Sequence, residues 1–264
     1  MIRTGEASAR APLWHALGLD AFVGVPVVAV VGGGGKTSLL YALGREVASL
    51  GGRAVVTGTA RFTAAPHGWP APPRFAVAPG EAASIAGRMP VAGAMVATGV
   101  AAQPPGRLAP LAVEEVDTLA RTGGVDALFV EADGSRARPF KAPGEGEPAL
   151  PASATHVAAV VGAGVFGQPL EGGAVHRPER VRAIVPGLPP DAHCDAALIA
   201  RVLAHHDGGR RGVDGRAFAV VVNQADTYPE AARAIATAVR EAGVPRVLVT
   251  ALRDLRRPVL EVMA

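Results

Sequence analysis

Short apolar runs alternate along this chain with stretches whose apolar positions recur every three or four residues. The first kind predicts strands over Val27–Val31, Ala54–Thr57, Gly93–Thr98, Ala127–Glu131, His156–Val161, Ala217–Asn223 and Arg246–Thr250. Most of these are near-continuous valine and alanine, as in strands buried on both faces of a parallel sheet. The second kind predicts helices. Leu39, Leu40, Leu43, Val47 and Leu50 form one apolar stripe on a helix from Lys36 to about Leu50, stopped by Gly51-Gly52. Further helices are expected over Val113–Arg121, over Asp195–His206 and from near Tyr228. At the last of these, Thr227 and Glu230 have capping-box spacing and Pro229 falls in the first turn. Ala64–Pro79 reads as a Pro- and Ala-rich loop, and Gln103–Pro110 and Pro139–Pro151 as Pro- and Gly-rich ones. The alternation predicts an α/β fold: a single domain over 1–264 with a mostly parallel sheet, helices on both faces and a helical lead-in over 1–24.

Composition narrows the function classes. At 49% hydrophobic and only 4% aromatic, the core must be built from Ala, Val and Leu. The formal net charge is +3, and no lysine/arginine block carries interleaved aromatics, so no nucleic-acid partner is expected. Apolar runs such as Ala217–Val222 are too short to span a bilayer, and Met1–Trp14 has no signal-peptide core, so no membrane association is expected. A single cysteine, Cys194, fits a reducing, cytoplasmic setting.

The chemistry is marked by lysine scarcity. Of 26 basic residues only Lys36 and Lys141 are lysines. Lys36 follows Gly32-Gly33-Gly34-Gly35 and precedes Thr37-Ser38, between a predicted strand and a predicted helix. Glycines let backbone N–H groups wrap a phosphate, a helix N-terminus adds free donors, and a compact ammonium fits such a loop where a planar guanidinium does not. This order of strand, loop and helix predicts a P-loop NTPase-like site for GTP or ATP, with Lys36 on the β/γ-phosphates and Thr37 on Mg²⁺. The first glycine of the common pattern is replaced by Val30.

A second signal is Glu131-Ala132-Asp133-Gly134 at a strand end. In P-loop proteins an acid here holds Mg²⁺, and a glycine three residues on can sense the γ-phosphate through its N–H. Glu131 and Asp133 are therefore candidate catalytic and metal-holding residues, and strand alternation would put both on one face. A third is Asn223-Gln224-Ala225-Asp226, which resembles the guanine-reading N-K-x-D turn. Asp226 would pair with guanine N1 and N2, favouring GTP. Ala251, in Thr250-Ala251-Leu252, stands where a backbone N–H would meet guanine O6.

Together with Val55-Val56-Thr57-Gly58-Thr59, the run to Lys141-Ala142-Pro143, and Val175-His176-Arg177-Pro178-Glu179, these motifs resemble the YqeC family. The resemblance covers the chain from about Leu13 to the last strand. It implies an accessory protein of selenium-dependent molybdenum hydroxylases, with a molybdenum-enzyme client or its cofactor machinery as partner. More distantly, the spacing of Glu131 and Gly134 is similar to that of GTPases that help insert nickel or cobalamin.

The resulting expectation is a slow, Mg²⁺-dependent NTPase, because no Gln or His can be assigned to orient the attacking water. A small-molecule kinase using Asp133 as base, and a non-catalytic nucleotide-gated binding partner, are the alternatives. Thr57 and Thr59 are candidates for a switch, and Ser135, Arg136 and Arg138 for contacts to phosphate or a partner acid. His176, Arg177 and Glu179 read either as a polar cluster or as a helix start with Pro178 in its first turn. His193, Cys194, His205 and His206 form a weak metal candidate, since they are split along one predicted helix.

Overall fold

The computed structural model describes residues 12–66 and 68–264, so residues 1–11 of the expected lead-in lie outside the described residues. Contacts gather into two units. Val31–Lys36, Asp133–Pro148 and Val157–Ala264 make the second, and the rest of the described chain makes the first. The protein is a mixed α/β fold built on a mostly parallel nine-stranded sheet.

The first unit carries β1 (Val27–Gly32, whose last two residues belong to the second unit), β2 (Arg53–Gly58), β3 (Phe62–Thr63), β4 (Arg74–Val77), β5 (Gly93–Gly99), β6 (Arg107–Leu108) and β7 (Ala127–Glu131). Five of these run in the order β1-β7-β2-β5-β4, every pair parallel. Strands β1, β2 and β7 are buried almost throughout, which is why their sequences show no polar alternation. Its helices are α1 (Pro12–Ala16), α2 (Lys36–Ser49, entered from the second unit) and α3 (Val113–Thr122). Glu46 of α2 accepts from the N–H groups of Leu13 (3.0 Å) and Trp14 (2.8 Å), tying down α1. Burial pushes its carboxyl up to about 7.

The second unit carries β8 (Phe140–Lys141), β9 (His156–Gly162, whose first residue belongs to the first unit), β10 (Val175–His176), β11 (Ala217–Asn223), β12 (Val247–Thr250) and β13 (Val259–Met263). The order is β13-β12-β11-β9, with β11 and β12 parallel and β13 antiparallel to β12. Strands β8 and β10 form a separate parallel pair, with His176 opposite Lys141. The helices are α4 (Pro178–Ile184), α5 (Ala196–Ala204) and α6 (Pro229–Glu241), and α5 packs on α6.

All seven expected strands form within a residue of their predicted ends. The corrections have local causes. Strand β4 falls inside a predicted loop because it is an edge strand with exposed positions, so burial leaves no continuous apolar run. Strands β3, β6, β8 and β10 have two residues each, too few to show a period. The capping box at α6 does not form. The Gln224 carbonyl already accepts the N–H groups of Thr227 and Tyr228, and the Thr227 hydroxyl turns to Asp226 (3.5 Å). Helix α5 starts only after Asp195, which caps it by accepting from Leu198 N–H (2.7 Å), so His193 and Cys194 precede it and His205 follows it.

Candidate functional site

In the second unit, the four-glycine turn after β1 leads to Lys36. The Gly34 backbone is left-handed (φ 78°), and a Cβ there would lie 2.3 Å from Gly162 N. At Gly33 a Cβ would lie 2.3 Å from the Arg138 carbonyl oxygen. No side chain fits at either place without moving backbone. The four amides divide evenly. Gly32 N–H donates to Asp133 and Gly33 N–H to the Val160 carbonyl (2.9 Å). Those of Gly34 and Gly35 have no acceptor among the described residues. Asn223 Nδ2 donates to the Gly34 carbonyl at 2.9 Å. In a trans peptide the N–H points opposite to the C=O, so this bond aims the Gly35 N–H away from Asn223.

Lys36 is buried (4% exposed) and folds back, donating to the Gly32 carbonyl (2.7 Å) and pairing with Asp133 Oδ1 (3.2 Å). Asp133 is buried too, and its Oδ2 pairs with Lys141 (3.0 Å). The carboxylate expected to hold Mg²⁺ therefore lies between both lysines of the chain and the Gly32 amide. Strand β7 ends at Glu131, so alternation does not extend to Asp133. Gly134 presents its carbonyl to Lys141 (2.7 Å).

In the first unit, Thr37 and Ser38 stand in the first turn of α2, where backbone N–H groups lack intrahelical acceptors. The Thr37 hydroxyl donates to Glu131 Oε2 at 3.0 Å. A hydroxyl and a carboxylate are hard oxygen donors of the kind Mg²⁺ prefers. Burial and the Glu131 charge keep the Tyr41 phenol protonated well above its ordinary value. The Thr59 hydroxyl donates to the Ala149 carbonyl (2.6 Å). Thr57 is fully buried, and its hydroxyl has no partner among the described residues.

The Asn223–Asp226 turn, in the second unit, follows β11. Asn223 Oδ1 accepts from Leu252 N–H (3.1 Å) and the Thr250 hydroxyl (3.3 Å). Ala251 N–H donates to the Pro258 carbonyl (2.9 Å). The Ala251 amide expected near a base oxygen is thus engaged inside the protein, because β13 folds back beside β12, and its neighbour Leu252 is engaged by Asn223. Gln224 is left-handed (φ 72°), and its carboxamide oxygen accepts from Gly164 N–H (3.1 Å). Asp226 is exposed.

The remaining candidates separate. Arg138 donates to the Val175 carbonyl, and Arg136 is left-handed (φ 51°). Arg177 precedes α4 with Pro178 in its first turn, as the helix-start reading expects. His205, His206 and Asp207 bring ligand atoms within 4.8 Å of one another, but Cys194 is buried elsewhere and burial pushes its thiol up to about 11.

A model of the family described as YqeC protein matches residues 28–179, more than half of the chain. The chain belongs to the YqeC family. It is also 32% identical over 187 residues to a protein of Escherichia coli (strain K12) described as "Uncharacterized protein YqeC", covering 71% of each chain. No solved structure matches. The YqeC match takes in the glycine turn, the Glu131–Gly134 stretch, Lys141 and His176–Glu179, whereas Asn223, Asp226 and Ala251 lie beyond it. Within the same span is Glu147, which sequence reasoning missed. It binds Lys141 (2.6 Å) and Arg177 (2.7 Å). Burial pushes its carboxyl up, but the bonds and charge of Lys141 and the bond from Arg177 outweigh this and hold it at about 2. The rarity of lysine was the available signal, since it marked Lys141 as needing partners.

Proposed function

We propose that this protein binds a nucleoside triphosphate with Mg²⁺ and hydrolyses it slowly, as an accessory protein in maturing a selenium-dependent molybdenum hydroxylase. The observation that carries the binding step is the pair of amides at Gly34 and Gly35, without acceptors among the described residues and immediately before Lys36. Such donors beside an ammonium and a helix start form a site for phosphate oxygens. Lys36 would exchange the Gly32 carbonyl for phosphate and stabilise charge developing on the β/γ bridging oxygen. Thr37 and Glu131 are the residues that would hold Mg²⁺, which when bound neutralises phosphate charge. Asp133 is better suited to balancing the two lysines than to binding metal, and this also weakens the kinase alternative that used it as a base. The role in enzyme maturation is what the family resemblance supports.

GTP is favoured over ATP through Asp226, the remaining reader of the base edge. Titration with GTP and ATP, each with and without Mg²⁺, tests the proposal. Micromolar or tighter binding that needs Mg²⁺ and is weakened about 100-fold in Lys36→Ala supports it. Heat-free titrations with both nucleotides, confirmed by equilibrium dialysis, would reject it.

A further inference from the structure

Both lysines of the chain belong to one alternating row of charges in the second unit. Lys36 pairs with Asp133 (3.2 Å), Asp133 with Lys141 (3.0 Å), Lys141 with Glu147 (2.6 Å), and Glu147 with Arg177 (2.7 Å). The Lys141 ammonium has three protons and three acceptors: Asp133, Glu147 and the Gly134 carbonyl. Its side chain is 1% exposed, whereas Glu147 and Arg177 are 23% and 29% exposed. The row therefore runs from a buried end at the glycine turn to an end that meets solvent. Inside, a low dielectric keeps neighbouring charges strongly coupled.

We propose that Lys141 and Glu147 relay the state of the Arg177 turn to the glycine turn, setting how firmly Asp133 retains Lys36 and hence the affinity for a triphosphate. This rests on the phosphate-binding reading of the loop and names its regulation. Lys36 must loosen its hold on Asp133 to reach a phosphate. Asp133 then depends on Lys141, for which Glu147 competes. Arg177 draws on Glu147 and so leaves more of Lys141 to Asp133. Anything that removes Arg177 from Glu147 strengthens Glu147–Lys141, weakens Lys141–Asp133, and leaves Lys36 more tightly held. By reciprocity, a bound triphosphate favours the Arg177–Glu147 pair. A carboxylate or phosphate on a partner that captures Arg177 would lower the affinity for nucleotide.

Gly144 offers a way to move Arg177 without altering any charge. A Cβ there would lie 2.7 Å from the Arg177 guanidinium carbon, the far end of a flexible side chain, so Gly144→Ala displaces the guanidinium at little cost to the backbone. The test is calorimetric titration of GTP and of inorganic tripolyphosphate, both with Mg²⁺, on wild type, Arg177→Gln, Glu147→Gln, their double variant and Gly144→Ala. Thermal melts identify any variant that is not folded, and Gly144→Ala, with Arg177→Lys beside it, stands in for Arg177→Gln should that one fail. Arg177→Gln and Gly144→Ala should each weaken binding by about three- to tenfold. Glu147→Gln should tighten it by a similar factor, and adding Arg177→Gln to Glu147→Gln should change nothing further. An equal effect of Arg177→Gln in both backgrounds, or no effect of Gly144→Ala, overturns the relay and leaves the loop reading intact. Absence of wild-type binding to both ligands overturns the loop reading, and the relay with it.

Discussion

The glycine turn at Gly32–Lys36 and the turn at Asn223–Asp226 with its neighbour Thr250–Leu252 resemble two halves of one recognition scheme, yet they treat their backbone donors differently. At the glycine turn, two of the four glycine amides bond internally and two have no acceptor among the described residues. At the other, the amides of Ala251 and Leu252 are both engaged, by Pro258 and Asn223. Donors without internal acceptors are positioned for a ligand, whereas engaged donors stabilise the fold and must be broken before they can bind anything. On the proposed function, the contrast assigns phosphate recognition to main chain and base recognition to the exposed Asp226 side chain.

The largest effect is expected from Gly34→Ala. The left-handed backbone costs an alanine about 1 kcal/mol or more, and its Cβ would meet Gly162 backbone at 2.3 Å. Urea unfolding should show a loss of about 1–3 kcal/mol, and triphosphate binding should fall below detection. Retained affinity would mean the turn is not the phosphate cradle, and the contrast between the two regions would lose its meaning. Lys36→Ala comes next. Charge-assisted hydrogen bonds contribute about 1.5–3 kcal/mol each, so affinity for GTP and ATP alike should drop by about 100-fold. A drop confined to one nucleotide would place Lys36 near the base instead.

How far these regions can be read from sequence follows from how local their causes are. The fold was legible because strands such as β7 and β11 are buried on both faces and cannot hide their apolar runs. The glycine turn was legible because Gly33 and Gly34 answer to backbone at 2.3 Å, a demand no other residue type meets. The engagement of Ala251 was not, because its acceptor, Pro258, depends on β13 folding back antiparallel, a tertiary event without a local pattern. The partners of Asp133 were hidden for a related reason. Its sequence neighbours place it at a strand end, but Lys36 and Lys141 reach it from separate stretches of the chain.

Asn223→Ala tests the link between the two turns. Asn223 binds the Gly34 carbonyl on one side and Leu252 N–H on the other, so removing it leaves both without that partner and costs about 1–3 kcal/mol. Because it positions the Gly35 amide and not the base, affinity for GTP and ATP should fall together, by about tenfold. A loss for GTP that exceeds the loss for ATP would make Asn223 a reader of guanine and erase the distinction drawn between the regions.

The smallest effect is expected from Asp226→Ala, and its smallness is itself informative. The carboxylate is exposed, so its bonds to guanine N1 and N2 compete with water, and the neighbouring amides that would add selectivity are engaged elsewhere. Discrimination should therefore rest on about 1 kcal/mol, and the GTP-to-ATP affinity ratio should fall about fivefold in the variant. Competition titrations with both nucleotides on wild type and variant measure that ratio directly. A wild-type ratio of one would remove Asp226 from base reading. A ratio above about 100 in the wild type would require the Ala251 and Leu252 amides to exchange their internal acceptors for the base, which a change in their hydrogen-exchange protection on adding GTP would reveal.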